Sequence, residues 1–409
     1  MLLHAVLAAL ALLSLALLMW QWAVARRFPL HKRVESPRFF PAVTLLKPLK
    51  GLEPDTPACL RSWLAQEYPG EVQVLFGVAS ADDPVCGLVN NLLAEFPQRD
   101  AQLVLCPEQL GANAKVSTLV HLARLAKHEH VVISDADVKA PPDLLVNVLA
   151  PLEDRGVGLV NCFYRLANPT TAAMHWEAVA INADFWSSVL QSRSLKPLDF
   201  ALGAVMATRR AQLAEIGGFE SLVDYLADDY ELGHQIAKRG HRIELCPVVV
   251  ECWSAPMNWR EVWAHQLRWA RTIRVCQPVP WFFSILSNPT VWVAAAAVSM
   301  MIGFMVVSDR LAHERLMADA IPEIKERARI VSGVGLPFAI VFVLFRIGVT
   351  TNLLRWSSRG DFMDNFTAML APLKDLLAAV IWALSFFGNT VTWRGVRYRV
   401  RRGGKLEKL

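Results

Sequence analysis

Charge is scarce in this chain. Lys, Arg, Asp and Glu make up 19% of its 409 residues against 54% hydrophobic residues, and the mean hydropathy is +0.31. A water-solvated domain of this size carries nearer a quarter charged residues, so the composition excludes a chain lying wholly in water and assigns part of it to lipid. The shortage is concentrated: Leu2 to Ala25 contains no Lys, Arg, Asp or Glu and is long enough for a spanning helix. No CxxC pair occurs, and the seven cysteines (59, 86, 106, 162, 246, 252 and 276) are an odd number. That argues against a zinc ribbon or a disulfide framework and for reduced, buried thiols. The net charge of +5 is not gathered into a compact basic face, so nothing points to nucleic acid. Much of the excess lies near the ends of apolar segments, where anionic leaflets would meet it. Internal repeats and low-complexity tracts are absent too.

What is present divides the chain. Arg26, Arg27, Lys32 and Arg33 follow the first apolar run, which by the positive-inside rule places the next segment in the cytoplasm. A cleaved signal peptide would carry its basic residues before the apolar core, so residues 1–25 are expected to be an anchor with its N-terminus outside. From 40 to 255 short apolar β-type runs alternate with helical ones. Strands are expected at Ala42–Leu46, Val72–Val78, Gln102–Leu105 and His130–Ser134, with helices at Cys59–Gln66, Pro84–Glu95 and Ala114–Ala126. Such alternation predicts an α/β domain with a mainly parallel sheet covered on both faces. Residues 256–280 read as an interfacial helix, with Trp259 and Trp263 on one face. Within 281–393, Asn288–Ser308 and Ile330–Thr350 are spanning candidates, separated by a charged stretch from Asp309 to Arg329. A third run, Phe366–Gly388, is interrupted by Pro372, Lys374 and Asp375. Three full crossings would leave the basic tail 394–409 outside, so this last run is expected to be re-entrant or interfacial, an ion pair at mid-membrane being costly.

Acidic stations punctuate the 40–255 region. Asp135-Ala136-Asp137 ends a strand expected to be central, where ligands of open α/β sheets bind. Two carboxylates one residue apart can hold a hard divalent cation, although solvated acidic turns also give this triplet. Gly111-Ala112-Asn113-Ala114-Lys115 sits at a loop-to-helix junction, where Lys115 is either a point charge for phosphate or a solvated lysine. Asp82-Asp83-Pro84 follows a strand; it could bind nucleobase or ribose, and it reads equally as a capped turn with Pro at the helix start. Asp228-Asp229-Tyr230 opens a helical run. Such carboxylates are often simple caps, yet one of them could take a proton from an attacking hydroxyl, and Asp229 is the expected base. Arg268-Trp269 lies on the interfacial helix, with Arg268 for a diphosphate and Trp269 for packing against acceptor or sugar.

Taken in order, Phe76-Gly77-Val78 with Asp82-Asp83-Pro84, Gly111–Lys115, Ser134–Asp137, Leu226–Tyr230 and Arg268-Trp269 resemble the ceramide glucosyltransferase family of inverting membrane enzymes. Bacterial relatives resemble hopanoid-associated glycosyltransferases, which add an N-acetylhexosamine to a hopanoid polyol. The resemblance runs over about 40–275 and implies a GT-A nucleotide-sugar fold flanked by transmembrane helices. It implies a UDP-sugar donor, a membrane lipid acceptor and Mg²⁺ or Mn²⁺. By the same resemblance Asp135 with Asp137 holds metal and nucleotide, and Asp229, with Asp228 beside it, supplies the base. Donor or acceptor contacts would fall to Asp82, Asp83, Lys115, His265, Arg268 and Trp269, with Asn161–Leu166 and Pro197–Gly203 near the acceptor. Two departures stand out. The family's first acidic station is expected where this chain has Ala79-Ser80-Ala81, and the residue three before Arg268, usually Gln or Arg, is His265. The expected localisation is the inner cell membrane, multi-pass, with the catalytic domain cytoplasmic. A processive polysaccharide synthase would need more helices than the chain offers, and a catalytically silent scaffold would not need intact carboxylates at the second and third stations.

Overall fold

The computed structural model describes residues 2–313, 321–360, 364–393, 395–401 and 403–409. Helix α1 (Leu2–Arg27) leads into an α/β domain whose strands are β1 (Val43–Pro48), β2 (Val72–Val78), β3 (Asp100–Leu105), β4 (His130–Ser134), β5 (Val138–Lys139), β6 (Val157–Leu166), β7 (Val205–Arg209) and β8 (Arg242–Cys252). They form one eight-stranded sheet in the order β3-β2-β1-β4-β7-β6-β8-β5. Strands β3, β2, β1 and β4 run parallel, β7 is antiparallel to both β4 and β6, and β6 pairs parallel with β8. Every residue of β1 is buried, as expected of a parallel strand covered on both faces. Helices α2 (Thr56–Leu64) and α3 (Val85–Glu95) cover one face through Leu60, Trp63, Val85 and Val89. Helix α4 (Ala114–Leu125) covers the other through Val116, Leu119 and Leu122. Each strand and helix expected between 42 and 126 is present.

The second half adds α5 (Leu144–Leu149), α6 (Ala172–Val179), a π-helical turn at Ala180–Phe185, α7 (Trp186–Arg193), α8 (Arg210–Glu215) and α9 (Asp228–Lys238). Helix α10 (Trp259–Cys276) occupies the expected interfacial segment. Its start is fixed by a capping box, Asn258 accepting from Arg260 and Glu261 N–H groups while Glu261 returns a bond to Asn258 N–H. Beyond it lie α11 (Pro278–Phe283), α12 (Pro289–His313), α13 (Ile321–Ser358), α14 (Asp364–Met369) and α15 (Ala371–Ser385). Among the described residues, α1 and the Ile340–Ser358 part of α13 are long and apolar enough to cross a membrane. A third candidate is the pair Pro278–Ser287 and Pro289–Gly303, bent by 55°. The described part of the window expected at Ile330–Thr350 falls within α13, and the charged stretch 309–329 lies partly outside the described residues.

The structure adds detail in two places. The interrupted run 366–388 is two short helices broken at Leu370, and its charges are partnered: Asp375 accepts from Arg346 Nε at 2.8 Å, and Lys374 pairs with Asp184. The basic tail is folded, with β9 (Thr390–Trp393), β10 (Val396–Val400) and β11 (Leu406–Lys408) forming an antiparallel sheet; Arg394 and Arg402 lie outside the described residues. This sheet is stitched to the loop before α9, since Leu226 N–H donates to Gly404 O at 3.1 Å and Leu406 N–H to Asp224 O at 2.6 Å. Its formation follows from Val396, Tyr398 and Val400, whose alternation gives one strand face to bury.

Candidate active site

The carboxyl ends of β1 and β4 and the starts of α4 and α9 converge on one cleft. Asn113 caps α4, its Oδ1 accepting from Val116 N–H at 3.2 Å, while its Nδ2 donates to Tyr225 O at 2.8 Å and to Asp228 Oδ1 at 3.3 Å. Lys115, in the first turn of the same helix, bridges two stations: its Nζ lies 2.8 Å from Asp135 Oδ1 and 3.1 Å from Asp228 Oδ2. Burial opposes that ammonium charge, but the two carboxylates outweigh it and hold its pKa above the ordinary lysine value. Lys115 is therefore neither solvated nor a lone charge; it joins the second and third acidic stations across the cleft.

Asp229 stands next to this bridge. Its Oδ1 accepts from Tyr230 N–H at 2.8 Å, and its Oδ2 lies where a Cβ on Gly203 would come within 2.7 Å. Only glycine at 203 admits the carboxylate so closely, and Gly233 likewise lets α9 pack on the backbone of Phe200 and Ala201. Burial, with the charge of Asp228, pushes Asp229 up to about 6, Lys115 acting in the opposite direction. Asp137 is also pushed up to about 6, by burial and by Asp135. Both carboxylates keep part of their surface accessible. A proton acceptor poised near neutral pH and reachable from the cleft is what general base catalysis requires.

Beneath the Asp135–Asp137 turn lies a residue that the sequence reading missed. Lys47, fully buried at the end of β1, donates to Ser134 Oγ at 3.2 Å and to the Asp135 carbonyl, with its ammonium 4.9 Å from the centre of the Trp63 ring. Burial lowers its pKa to about 8 against the pull of Asp137 and Asp135. Its signal was a single lysine at the end of an otherwise apolar strand run. The donor set for a cation is oxygen-only, Asp135 with Asp137, and no cluster of three His, Cys, Asp or Glu side chains occurs among the described residues. Such a pair fits a hard cation that keeps waters and takes further oxygens from a diphosphate.

The remaining expected residues divide. Asp83 accepts from Gly51 N–H at 3.0 Å and from Val85 N–H at 3.0 Å, so its carboxylate serves the turn, and Asp82 is exposed beside it. Neither pairs with Lys115. On α10, His265 Nδ1 lies 2.7 Å from Oε1 of Glu177, a buried carboxylate that also accepts from Gln266 Nε2 at 2.8 Å. The Trp269 ring packs on His265 at 4.8 Å and on Phe185 at 6.1 Å. Arg268 sits between them in sequence, its carbonyl accepting from Thr272 Oγ1 at 2.8 Å. Nothing local to residue 177 announces a partner for residue 265, because α6 and α10 meet only in the fold.

With this geometry in hand, comparison with known proteins is decisive. A model of the family described as Glycosyl transferase family 21 matches residues 6–323 and 325–406. The chain belongs to glycosyl transferase family 21. Ceramide glucosyltransferase 3 of Caenorhabditis elegans is 23% identical over 219 residues, covering 53% of this chain and 47% of that protein. An N-acetylglucosaminyltransferase of Bradyrhizobium diazoefficiens is 25% identical over 247 residues, covering 57% of this chain and 49% of that one. The chain thus spans about half the length of these curated relatives. Among solved structures, the mannosyltransferase PcManGT of Pyrobaculum calidifontis, in complex with GDP-Man and Mn²⁺, superposes with a TM-score of 0.54 at 20% identity, covering 94% of this chain and 99% of that one. The fold is of the GT-A type.

Proposed function

We propose that the chain transfers a hexose from a UDP-sugar to the hydroxyl of a ceramide-like lipid alcohol, with inversion at the anomeric carbon. The observation that carries this reading is Asp229, a reachable carboxylate raised to about 6 beside the Lys115 bridge between Asp135 and Asp228. In a single displacement the acceptor oxygen forms its bond to the anomeric carbon as the bond to the diphosphate oxygen breaks. Asp229 takes the hydroxyl proton, and UDP leaves with the electron pair. Asp135 and Asp137 would hold Mg²⁺ or Mn²⁺, which their oxygen-only donors suit better than zinc. When bound, that cation neutralises the diphosphate and stabilises it as leaving group. Lys115 and Arg268 add positive charge for the phosphates, and Trp269 borders the acceptor side. Asp82 and Asp83 remain candidates for the nucleoside, Asp83 only if it exchanges its present N–H partners.

Several relatives are ceramide glucosyltransferases, which supports a ceramide-like acceptor. A second reading, transfer of N-acetylglucosamine from UDP to a hopanoid polyol, draws on the Bradyrhizobium relative. A silent scaffold is disfavoured by the intact carboxylate set. The purified full chain should release UDP from UDP-glucose or UDP-N-acetylglucosamine when given ceramide or a polyhydroxylated hopanoid, and mass spectrometry should find the matching glycolipid. No UDP release and no glycolipid with any pairing would overturn the reading. Exhaustive EDTA treatment should abolish transfer and Mn²⁺ should restore it; full activity after EDTA would leave the diphosphate to Lys and Arg alone.

A further inference from the structure

Between the carboxylates and α10 runs a series of rings, of which Tyr164 falls in a stretch the resemblance sets near the acceptor and Phe185 has no role so far. Tyr164 stands on β6, where the pairing with β8 shifts register between Cys162 and Tyr164. Such irregularities re-aim side chains at sheet ends next to active sites. Cys252 of β8 pairs both with Leu166, two residues beyond Tyr164, and with Val138, the neighbour of Asp137, so this end of β6 lies beside the acidic turn. Burial holds the Tyr164 phenol well above its ordinary pKa, with Asp229, Asp135 and Asp137 acting in the same sense. Phe185 closes the π-helical turn between α6 and α7, a feature that commonly marks functional sites. Ring centroids lie 5.6 Å apart from Tyr164 to Phe185, 6.1 Å from Phe185 to Trp269 and 4.8 Å from Trp269 to His265.

These rings are not ordinary core. Tyr164, Phe185 and Trp269 all keep accessible surface, whereas Trp176 and Trp186 nearby are 1% exposed. The series also has a direction. One end, Tyr164, stands near the end of β6, whose Leu166 shares Cys252 of β8 with Val138, the neighbour of Asp137. The other is fixed by the Glu177 bonds to His265 and Gln266, and by Asp184, which precedes Phe185 and accepts from Arg346 of α13 at 2.9 Å. It therefore leads from the acidic edge of the sheet towards the helices long and apolar enough to cross a membrane.

We propose that Tyr164, Phe185 and Trp269 form an aromatic wall that seats the polar head of an amphiphilic acceptor and brings its reacting hydroxyl to Asp229. The proposal rests on the transfer reading above. Aromatic faces suit the C–H faces of a polyol or an acyl-chain base, and the Tyr164 hydroxyl supplies a polar handle. Glu177 is a positioning residue that sets the orientation of His265 and through it Trp269.

The test uses the full chain in mixed detergent–lipid micelles, with short-chain ceramide and a polyhydroxylated hopanoid as acceptor probes. Phe185→Leu and Tyr164→Leu remove a ring while keeping apolar bulk. Each should raise the acceptor KM by about five- to tenfold, the scale of one lost aromatic contact, and leave the donor KM and acceptor-free UDP-sugar hydrolysis within about twofold. Phe185→Tyr, which keeps the ring, should retain the wild-type acceptor KM and so exclude misfolding as the cause. Parallel shifts in donor and acceptor KM, or an unchanged acceptor KM in both leucine variants, would overturn the wall. Wild-type protein that hydrolyses no UDP-sugar and modifies neither lipid would overturn the transfer reading and the wall with it.

Discussion

Asp229 and Asp137 both hold their protons more tightly than ordinary carboxylates, and the cause is the same: burial first, then a neighbouring aspartate. The sign of the linkage follows. Both folded-state values, about 6, lie above the ordinary carboxylate range, so between about pH 4 and pH 6 the folded chain keeps protons that the unfolded chain has released. Stability contributed by these groups falls as pH rises through that window, and the whole penalty is present at pH 7. Asp229→Asn should therefore raise the melting temperature at pH 7 by roughly a few degrees and lose this advantage near pH 4. The same change should lower kcat by about two orders of magnitude or more, with UDP binding little altered. Near-normal turnover would move the base elsewhere, with Asp228 next in line. In the wild type, kcat/KM should fall below about pH 6 as Asp229 gains its proton. Raising Mn²⁺ should relieve whatever part of that loss comes from Asp137 and leave the Asp229 part in place.

At the scale of elements, α15 is held by charge as much as by apolar packing. Arg346, Asp375, Lys374 and Asp184 form a four-membered cluster, extended by Thr290 donating to Asp375 at 2.5 Å and Arg346 donating to Thr350 at 2.7 Å. Arg346→Met would leave buried Asp375 and half-buried Asp184 facing one cation. Breaking such a pair costs about 3–5 kcal/mol, so folded yield and melting temperature in detergent should drop sharply, with Arg346→Lys intermediate. An unchanged melting curve would mean the cluster is solvated and structurally idle. Local pattern exposed Lys374 and Asp375 as an anomaly, but their partners at 184 and 346 were out of its reach because the pairing is long-range. The parallel strands were legible because double-sided burial leaves continuous apolar runs such as Val43–Leu46. The C-terminal sheet was legible in principle through the period-two alternation of Val396, Tyr398 and Val400, but the intervening Arg397, Arg399 and Arg401 drew the reading to charge alone. The acidic stations were visible as letters; that Lys115 and Asn113 tie them together depended on the α4 and α9 termini meeting in space.

Across the whole molecule, the ends of the candidate spans support one arrangement relative to a bilayer. The last turn of α1 meets the last turns of α13: Arg26 lies 4.1 Å from the centre of the Trp356 ring, and His31 Nε2 is 3.1 Å from Trp356 O. Both helices thus finish beside the α/β domain, and the C-terminal sheet is pinned to that same domain at Asp224–Leu226. If α1, the bent pair and α13 cross while α15 stays at the domain face, domain and tail share one side, which removes the parity conflict of three full C-terminal crossings. By the positive-inside rule, Arg26, Arg27, Lys32 and Arg33 would make that side the cytoplasmic one, a sidedness that labelling tests. An acceptor could then approach along the plane of the inner leaflet past Trp259 and Trp263, keeping its tail in lipid and avoiding about 0.8 kcal/mol for each CH₂ exposed to water. Replacing both tryptophans with alanine should weaken lipid-acceptor use far more than UDP-sugar binding. The sidedness is open to thiol labelling of intact cells carrying either of two added cysteines. Leu3→Cys, at a position 64% exposed near the start of α1, should react with an impermeant maleimide added outside. Arg155→Cys, in an exposed turn of the α/β domain, should react only after permeabilisation. Labelling of the Arg155→Cys protein from outside would place the catalytic cleft on the far side of the membrane from cytosolic UDP-sugars and end this topology.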